Sequence, residues 1–406
     1  MYPVNAMVGA RWSLVIILVV ACGRAIPPLP SRGGPAWVEV KSEHFTLWTD
    51  APTVRGRELV RKMEHHRQVV MRSMNNAPAT ARSFVIALRS AREVAAYLPE
   101  EFAAVAWNAR NPTHQPGILL AADTNVRDHV FSHELTHVIS YGIFANQPSW
   151  LAEGLATYFE MVELDPGETH VKIGLPREDR AGFLLTRPPL STARLFACQE
   201  LTCMDEAFYA TSWALFSFLF NVHTGQFINY LRRMQRVPED QQAEVWRDSF
   251  PELPPDTLDH RLKEWLISGQ LATPVIEVTV QDVPSTERPL GDGDVLATRS
   301  LLNVIFTHDV SATRANLTAA LALDRTNVLA RLVEAEVAKS IEPNDARATA
   351  AAHPDDWRAW WLVVFAVQHG PEAAEALKKL CALAANEVPG CAHTDGYHEA
   401  RQGTPQ

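Results

Sequence analysis

The sequence predicts an α+β fold, in which a small mixed β-sheet precedes a mostly helical domain and an all-α C-terminal domain. Short apolar segments of the kind found in strands lie before residue 122. Apolar residues recur at helical spacing from residue 126 onward, and the chain beyond residue 295 is rich in alanine and leucine. With 406 residues, 47% of them hydrophobic, the chain is long enough for two or three domains with cores of their own.

The strands of the predicted sheet come first. Period-2 alternation or short buried apolar runs predict four of them, at residues 38–40, 45–48, 83–88 and 117–121. Helical patterns cover residues 54–74, 126–144, 149–161, 207–234 with a break at 223–225, and 258–268. Together these elements predict one domain over residues 36–272.

The C-terminal third has a different composition. A mixture of Val, Thr, Pro, Gly and Asp predicts a linker at 273–295, followed by a helical domain at 296–390 and a tail at 391–406. Two junctions, 323–331 and 352–360, look like copies of one helix-turn-helix and resemble tetratricopeptide repeats, although these usually recur about every 34 residues. A plain helical bundle is the alternative. This helical domain is where we expect a protein partner to bind.

The N-terminus predicts export. Arg11 precedes the apolar run 14–20, which is too short to span a bilayer but suits a secretory signal. Residues 19–22, Val-Val-Ala-Cys, resemble a bacterial lipobox. We therefore expect residues 1–22 to be a signal peptide and Cys22 to carry the lipid that anchors the protein to a membrane of the cell envelope. Signal peptidase cleavage nearby, or an uncleaved anchor, are the alternatives.

The composition indicates which kinds of partner and which compartment to expect. The segment 23–35 is rich in Pro, Gly and Ser, which predicts a tether. The chain carries 37 basic and 47 acidic residues without a basic cluster, so no nucleic-acid partner is expected. Four further cysteines fall into two local pairs, which predicts two disulfides in an oxidising compartment: Cys198 with Cys203, and Cys381 with Cys391.

One motif carries the chemistry. Residues 133–137 read His-Glu-Leu-Thr-His, and residues four apart on a helix lie on the same face, so His133 and His137 can share one metal ion. Glu134 lies beside them, where it reaches a water molecule at the metal rather than the metal itself. A catalytic zinc site needs a third protein ligand and an open position.

The third ligand is sought in the next helix. Metzincins would have Gly and His where Ser140 and Ile143 stand, so that class is excluded. Glu153 lies 16 residues beyond His137, which leaves room for a turn and a returning helix. Gly154 and Ala156 are small and are expected to let the two helices approach closely around an ion.

The segment His-Glu-Leu-Thr-His, followed by Trp-Leu-Ala-Glu-Gly-Leu-Ala-Thr-Tyr-Phe-Glu at 150–160, resembles the gluzincin metallopeptidases, in particular the bacterial peptidase-MA-like domain family. The resemblance extends over residues 37–268. It implies a zinc peptidase in which Glu153 is the third zinc ligand. Thr157 departs from thermolysin-like members, where an aspartate supports a zinc histidine, so that support must come from elsewhere.

The expected chemistry follows. Zinc held by two histidines and a glutamate activates water, Glu134 acts as general base, and Tyr209 donates to the developing oxyanion. Leu119 and its neighbours are expected to form an edge strand that pairs with extended substrate. Glu160 could orient a ligand histidine, but an exposed helix glutamate is the default expectation.

The sequence thus predicts zinc-dependent hydrolysis of peptide bonds in protein or peptide substrates of the cell envelope. Because no acidic motif for a substrate α-amino group stands out, an endopeptidase is favoured. The alternative is a non-catalytic envelope lipoprotein that keeps a gluzincin-like fold for binding. An intact motif with Glu153 favours the enzyme.

Overall fold

The computed structural model describes most of the chain from residue 26 to residue 384. The described ranges are 26–74, 82–99, 102–108, 113–123, 128–144, 146–165, 167, 169–235, 237–269, 271, 273–384 and 391. The predicted signal peptide, with Cys22, lies outside them. The predicted α+β class is confirmed, since a small sheet near the N-terminus is followed by many helices.

Within the described residues, nine strands form two sheets. Their bounds are β1 Trp37–Lys41, β2 Phe45–Thr49, β3 Ser83–Leu88, β4 Ala104–Trp107, β5 Gly117–Ala121, β6 Glu163–Leu164, β7 His170–Lys172, β8 Val275–Glu277 and β9 Thr286–Leu290. The larger sheet has the order β4-β5-β3-β2-β1-β9, and β6, β7 and β8 form the smaller one. The larger sheet is mixed, because β2, β3 and β5 run parallel while its other pairs are antiparallel.

The edge of the larger sheet differs from the prediction. Leu119 lies in β5, which pairs with β3 on one side and with β4 on the other, so the expectation of an edge strand at Leu119 is wrong. The edge strand is β4, a four-residue segment that carries too little alternation to be recognised in the sequence. β4 covers the backbone hydrogen-bonding groups on the outer side of β5 and presents its own.

Sixteen α-helices are present in the described residues. Their bounds are α1 Thr53–Ser73, α2 Ala91–Val94, α3 Asp128–Tyr141, α4 Ser149–Phe159, α5 Glu178–Thr186, α6 Thr192–Ala197, α7 Glu206–Val222, α8 Thr224–Met234, α9 Gln242–Ser249, α10 Pro255–Ser268, α11 Asp292–Leu302, α12 Val310–Leu323, α13 Val328–Ala338, α14 Pro343–Ala352, α15 Trp357–Val367 and α16 Pro371–Ala384. None of them is long and apolar enough to cross a membrane.

In the middle of the larger sheet, at β2, β3 and β5, both faces are buried, and side chains along these strands alternate between two cores. In β3, Val85 and Ala87 belong to the core shared with α1, α3, α4 and α7. Phe84 and Ile86 belong to a second core on the opposite face, shared with α2 and with α11–α13. Burial on both sides explains why β3 is apolar from Phe84 to Leu88 rather than alternating.

The stretch 273–295, predicted as a linker, instead contributes to both sheets. β8 pairs with β7, and β9 pairs with β1 as the other edge of the larger sheet. In the sequence β9 resembles a linker, because it contains Pro289 and four of its five residues are exposed. An edge strand tolerates such a proline. The predicted tether is also partly structured, since residues 30–32 form a 3₁₀ turn and the backbone N–H of Ser31 donates to Asp292 at 3.1 Å.

The C-terminal helices contain both predicted helix-turn-helix junctions, between α12 and α13 and between α14 and α15. The turns are similar: Asn327 accepts a hydrogen bond from the N–H of Ala330, and Asp356 accepts one from that of Arg358. Both predicted disulfides are confirmed, Cys198–Cys203 between α6 and α7 and Cys381–Cys391 at the end of α16.

Candidate metal centre

α3 positions the motif by burying its other side. Phe131, Leu135, Val138 and Ile139 are buried in the core shared with the sheet. His133 is only partly buried, because it lies on the side of α3 that faces away from that core, and Glu134 is partly buried at the border between the two sides. The sequence therefore fixes both the helix and the direction in which its polar side chains point.

α4 supplies the third donor and is held by close packing. Nine of its eleven residues are buried, while Glu153 is only partly so. Gly154 faces α7, where an added Cβ would lie 2.8 Å from the backbone oxygen of Ser212. The expectation that Gly154 brings α4 close to α3 is therefore wrong: its missing side chain lets α7 approach α4 instead.

His133, His137 and Glu153 converge on one point. Nε2 of His133 lies 3.2 Å from Nε2 of His137 and 3.2 Å from Oε2 of Glu153, and Nε2 of His137 lies 3.4 Å from the same oxygen. Four-coordinate zinc with bonds of 2.0–2.1 Å separates its ligand atoms by about 3.3 Å. The three atoms therefore already stand at the corners of a tetrahedral metal site, and within the described part of the chain they are the one such group.

The donor chemistry supports a cation at this point. Oε2 of Glu153 has no hydrogen-bond partner of suitable geometry among the described residues. Neutral imidazole nitrogens that carry a lone pair would repel this carboxylate oxygen and each other at such distances, unless a positive charge lay between them. The residues present thus fit a divalent metal ion.

The electrostatic environment of His133 also favours a cation at this point. Burial alone would lower the pKa of His133, but the neighbouring carboxylates of Glu153 and Glu160 outweigh burial and raise it to about 10. The pKa of Glu153 is held far below its usual range: burial opposes this, but His137 and His133 dominate. A site that holds a proton this strongly in the absence of metal is electrostatically suited to hold a cation.

Glu160 is not the exposed helix glutamate expected by default. It is 2% exposed, and its Oε2 lies 3.2 Å from Nδ1 of His133 and 3.1 Å from Nη2 of Arg180. When Nδ1–H of His133 donates to Glu160, the lone pair stays on Nε2, which faces the other two donors. Thr157 gives no such support, because its hydroxyl donates to the backbone oxygen of Glu153.

Glu134 lies between the helix and the sheet. Its Oε2 accepts a hydrogen bond from the backbone N–H of Ala106 in β4, at 2.9 Å. That bond fixes the carboxylate beside the edge strand while the other oxygen stays available to solvent or substrate. The predicted base is therefore next to the donor cluster but outside it.

Two tyrosines border the cluster. The ring of Tyr209 at the start of α7 lies 6.4 Å from the ring of His133, and the ring of Tyr141 stacks on that of His137 at 6.0 Å. Burial, together with the carboxylates of Glu153 and Glu134, raises the pKa of Tyr209 to about 12 and also raises the pKa of Tyr141. Both phenols therefore stay protonated at neutral pH and can donate hydrogen bonds.

A histidine of α1 forms a hydrogen bond with the helix α3 that carries the motif. Nε2 of His66 lies 2.8 Å from Oγ1 of Thr136, whose hydroxyl in turn donates to the backbone oxygen of Ser132. The Thr136 oxygen accordingly accepts from Nε2–H of His66. Burial lowers the pKa of His66 to about 4, and a hydrogen bond to the Ser132 backbone opposes this only in part, so the imidazole is neutral at physiological pH.

The structure brings together all five residues singled out as catalytic or metal-binding in the sequence: His133, Glu134, His137, Glu153 and Tyr209. Sequence reasoning missed Arg180, Tyr141 and the backbone of Ala106. Tyr141 follows His137 by one helical turn, so α-helical spacing could have indicated it. Arg180 and Ala106 carry no local signal of their role.

Comparison with protein families gives a match over part of the chain. A family described as a protein of unknown function, DUF1570, matches residues 129–240. No curated protein matches the chain. The matched segment contains the three candidate metal-donor residues together with Glu134, Glu160, Arg180 and Tyr209.

Proposed function

We propose that this protein is a zinc-dependent peptidase of the gluzincin type, with a peptidase-MA-like catalytic domain. The observation that carries the proposal is the convergence of His133 Nε2, His137 Nε2 and Glu153 Oε2 at 3.2–3.4 Å from one another, with Glu134 at their edge. Two imidazoles and one carboxylate leave a fourth position for water, which is the donor set of catalytic rather than structural zinc.

Bound zinc would supply Lewis-acid chemistry, which lowers the pKa of water and polarises a substrate carbonyl. Glu134 is the group that accepts the proton of the attacking water and later returns it to the leaving amine. The hydrogen bond from Ala106 leaves Glu134 one carboxylate oxygen for that proton. Because Glu134 acts on the water and not on the metal, it lies beside the metal donors and is not one of them.

Tyr209 is our candidate for the group that donates to the oxyanion of the tetrahedral intermediate. Its phenol stays protonated, and its ring borders that of His133. Tyr141 is a second phenol at the same cluster, on the His137 side. A hydrogen-bond donor placed where negative charge develops lowers the barrier of acyl transfer, and its loss typically costs about 10²–10³ in rate.

β4 is our candidate for the surface that orients the substrate. The N–H of Ala121 in β5 donates to the backbone oxygen of Ala103. Because hydrogen-bonded positions alternate along an antiparallel strand, the backbone groups of Ala104 and Ala106 face away from β5. An extended peptide can add to β4 there, next to Glu134. The substrate class is therefore an extended segment of peptide or protein.

We further propose that the protein is exported and acts in the cell envelope, anchored by lipid at Cys22. The two disulfides support an oxidising compartment. The helices α11–α16 remain our candidate for the binding surface of a protein partner.

The proposal is tested by incubating the purified protein with zinc and a library of peptides derived from a whole proteome. We expect internal cleavage that stops when a chelator removes the metal and returns when zinc is restored. If the protein binds zinc yet cleaves nothing in the library, the non-catalytic envelope scaffold becomes the better account.

A further inference from the structure

Arg180, in α5, is a buried cation next to the candidate metal site. It is 8% exposed, and its Nη2 lies 3.1 Å from Oε2 of Glu160. Its guanidinium also lies over the ring of Tyr209, with Cζ 5.4 Å from the ring centroid. One side chain thus contacts both the support of a metal ligand and the candidate oxyanion donor.

Stability alone does not account for this arginine. Taking a guanidinium out of water is costly, and a well-packed apolar side chain of similar volume often serves a protein core as well or better. Nη1 of Arg180 has no hydrogen-bond partner among the described residues, so part of that cost is not compensated. Burial also lowers the pKa of Arg180, and the negative charge of Glu160 opposes it.

The contact with Glu160 acts on the metal ligand. Oε2 of Glu160 is shared between Nδ1 of His133 and Nη2 of Arg180, while Oε1 makes no hydrogen bond within the described part of the chain. Glu160 is the C-terminal cap of α4, where the helix geometry that holds Glu153 has ended. Among the described residues, the Glu160 carboxylate is held by ion pairs with the Arg180 guanidinium and with the His133 imidazole. Without the guanidinium, the imidazole that Glu160 orients would be the remaining partner.

The contact with Tyr209 acts on the phenol. A guanidinium over the face of an aromatic ring is attracted by the negative charge of that face, which restricts the ring to one position. The same positive charge stabilises negative charge that develops on the phenol oxygen when its O–H donates to an oxyanion. Arg180 therefore affects both the position and the donor strength of Tyr209.

We propose that Arg180 is a positioning residue that acts on two sides of the centre, holding Glu160 against His133 and holding Tyr209 beside the same histidine. The contacts form a closed ring, His133–Glu160–Arg180–Tyr209–His133. The Tyr209 half rests on the proposed peptidase function. The Glu160 half rests only on metal binding, so the two halves can be tested separately.

The first measurement is zinc affinity, by competition with a chromophoric chelator, which requires no peptidase activity. Arg180→Met and Glu160→Gln should each weaken zinc binding by roughly 10–100-fold, the usual consequence of removing a group that orients a metal ligand. Arg180→Lys keeps the charge and should restore most of the affinity. The visible spectrum of the Co²⁺-loaded protein should change in the Met variant, since the His133 ring is no longer held.

Arg187→Met is the matched control. Arg187 directly follows the same helix, α5, and its guanidinium also lies over an aromatic ring, that of Phe183, at 5.3 Å. It is exposed. The control should bind zinc like the wild type. If Arg180→Met and Arg180→Lys both match Arg187→Met in zinc affinity and Co²⁺ spectrum, while all three melt like the wild type, the Glu160 half is wrong.

The second measurement is peptide hydrolysis at saturating zinc, where any loss of affinity is overcome. Arg180→Met should still lower kcat by about 10-fold or more with little change in KM, because the oxyanion donor is misplaced. In a Tyr209→Phe background the same substitution should have no further effect on kcat. An equal loss of kcat in both backgrounds would overturn the Tyr209 half. If the wild type hydrolyses no peptide, the proposed function fails, and the zinc measurements still decide the Glu160 half.

Discussion

The backbone N–H of Ala106 donates to Oε2 of Glu134 across 2.9 Å, which joins the edge strand β4 to the helix that carries two metal-donor histidines. The sheet thereby restricts the carboxylate to one orientation. The same strand that can pair with an extended substrate also positions the group that would take the proton of the attacking water. Under the proposed function, substrate binding and base orientation are coupled through Ala104 and Ala106, which lie two positions apart on β4.

Replacing Ala106 with proline tests this coupling, because proline removes the N–H without adding a charge. The N–H of Ala106 faces away from β5, so the ladder between the strands loses no bond, and edge strands tolerate proline at such positions. We expect kcat to fall by about 10-fold or more, since the carboxylate loses a charge-assisted hydrogen bond worth about 1.5–3 kcal/mol. Zinc content, measured by mass spectrometry, should stay near that of the wild type.

Ala104→Pro is the matched control for that substitution. Ala104 also faces away from β5 but lies two residues from the contact with Glu134. A proline there removes one hydrogen bond to an extended substrate, so KM should rise while kcat changes little. Identical effects of the two prolines on kcat and KM would contradict a specific role for the Ala106 amide.

Glu134→Gln should retain zinc and lower peptide hydrolysis by about 10³-fold or more. The glutamine oxygen can still accept from the N–H of Ala106, so local geometry is kept, but an amide cannot accept the proton of water. Hydrolysis is measured on a peptide that the wild type cleaves, with zinc determined in the same preparation. Cleavage by the variant within a few-fold of the wild type would remove Glu134 from the mechanism.

The metal site makes a prediction that does not depend on turnover. His133→Ala or Glu153→Ala should reduce zinc from near one equivalent per chain to near zero, because two remaining donors hold zinc far more weakly than three. His129→Ala, on the same helix one turn earlier, serves as the control and should keep its zinc. Unchanged occupancy in Glu153→Ala would exclude Glu153 from the site.

The parts of the centre that could be predicted are those encoded by local spacing. His133 and His137 are one helical turn apart, and Glu153 follows in a segment with a recognisable resemblance. Glu160 and Arg180 could not be paired in the same way, because their contact joins the end of α4 to α5 through packing that no sequence period reflects. Ala106 contributes a backbone group, which leaves no trace in residue type.

In the fold, too, features with a local sequence pattern were predictable and features that depend on long-range pairing were not. Strand β3 was predictable because it is buried on both faces and five of its six residues are apolar. Strand β9 was not, because it pairs with β1 from about 250 positions away, lies at the sheet edge and is mostly exposed. The edge position of β4 likewise depends on which strands pair, and hydrophobic pattern alone does not determine that.

Cys22→Ser tests the proposed anchor. Acyl chains on Cys22 would bury many methylene groups in the membrane, each worth about 0.8 kcal/mol, so two or more chains hold a protein there. We expect the variant to leave the membrane fraction or to stall as an unprocessed precursor, as measured by fractionation and N-terminal mass. A variant that stays membrane-bound and is processed like the wild type would show that Cys22 is not the anchor.

His66 predicts how stability depends on pH. Burial lowers its pKa from about 6.5 to about 4, against partial opposition from the Ser132 backbone. Between these two pKa values the unfolded chain binds a proton at His66 and the folded chain does not. The contribution of His66 to the unfolding free energy is therefore fully present above pH 6.5 and is lost as the pH falls towards 4. For this one group, the loss between pH 7 and pH 5 amounts to about 2 kcal/mol of unfolding free energy.

The measurement compares the wild type with His66→Gln, both freed of metal by chelator, by urea unfolding at a series of pH values. Glutamine can keep a donor towards Oγ1 of Thr136 but does not titrate. All other titrations are common to the two proteins, so the difference between their unfolding free energies isolates His66. We expect the advantage of the wild type to shrink by about 2 kcal/mol from pH 7 to pH 5. If the two curves instead run parallel over that interval, His66 is not held neutral by its burial behind the motif.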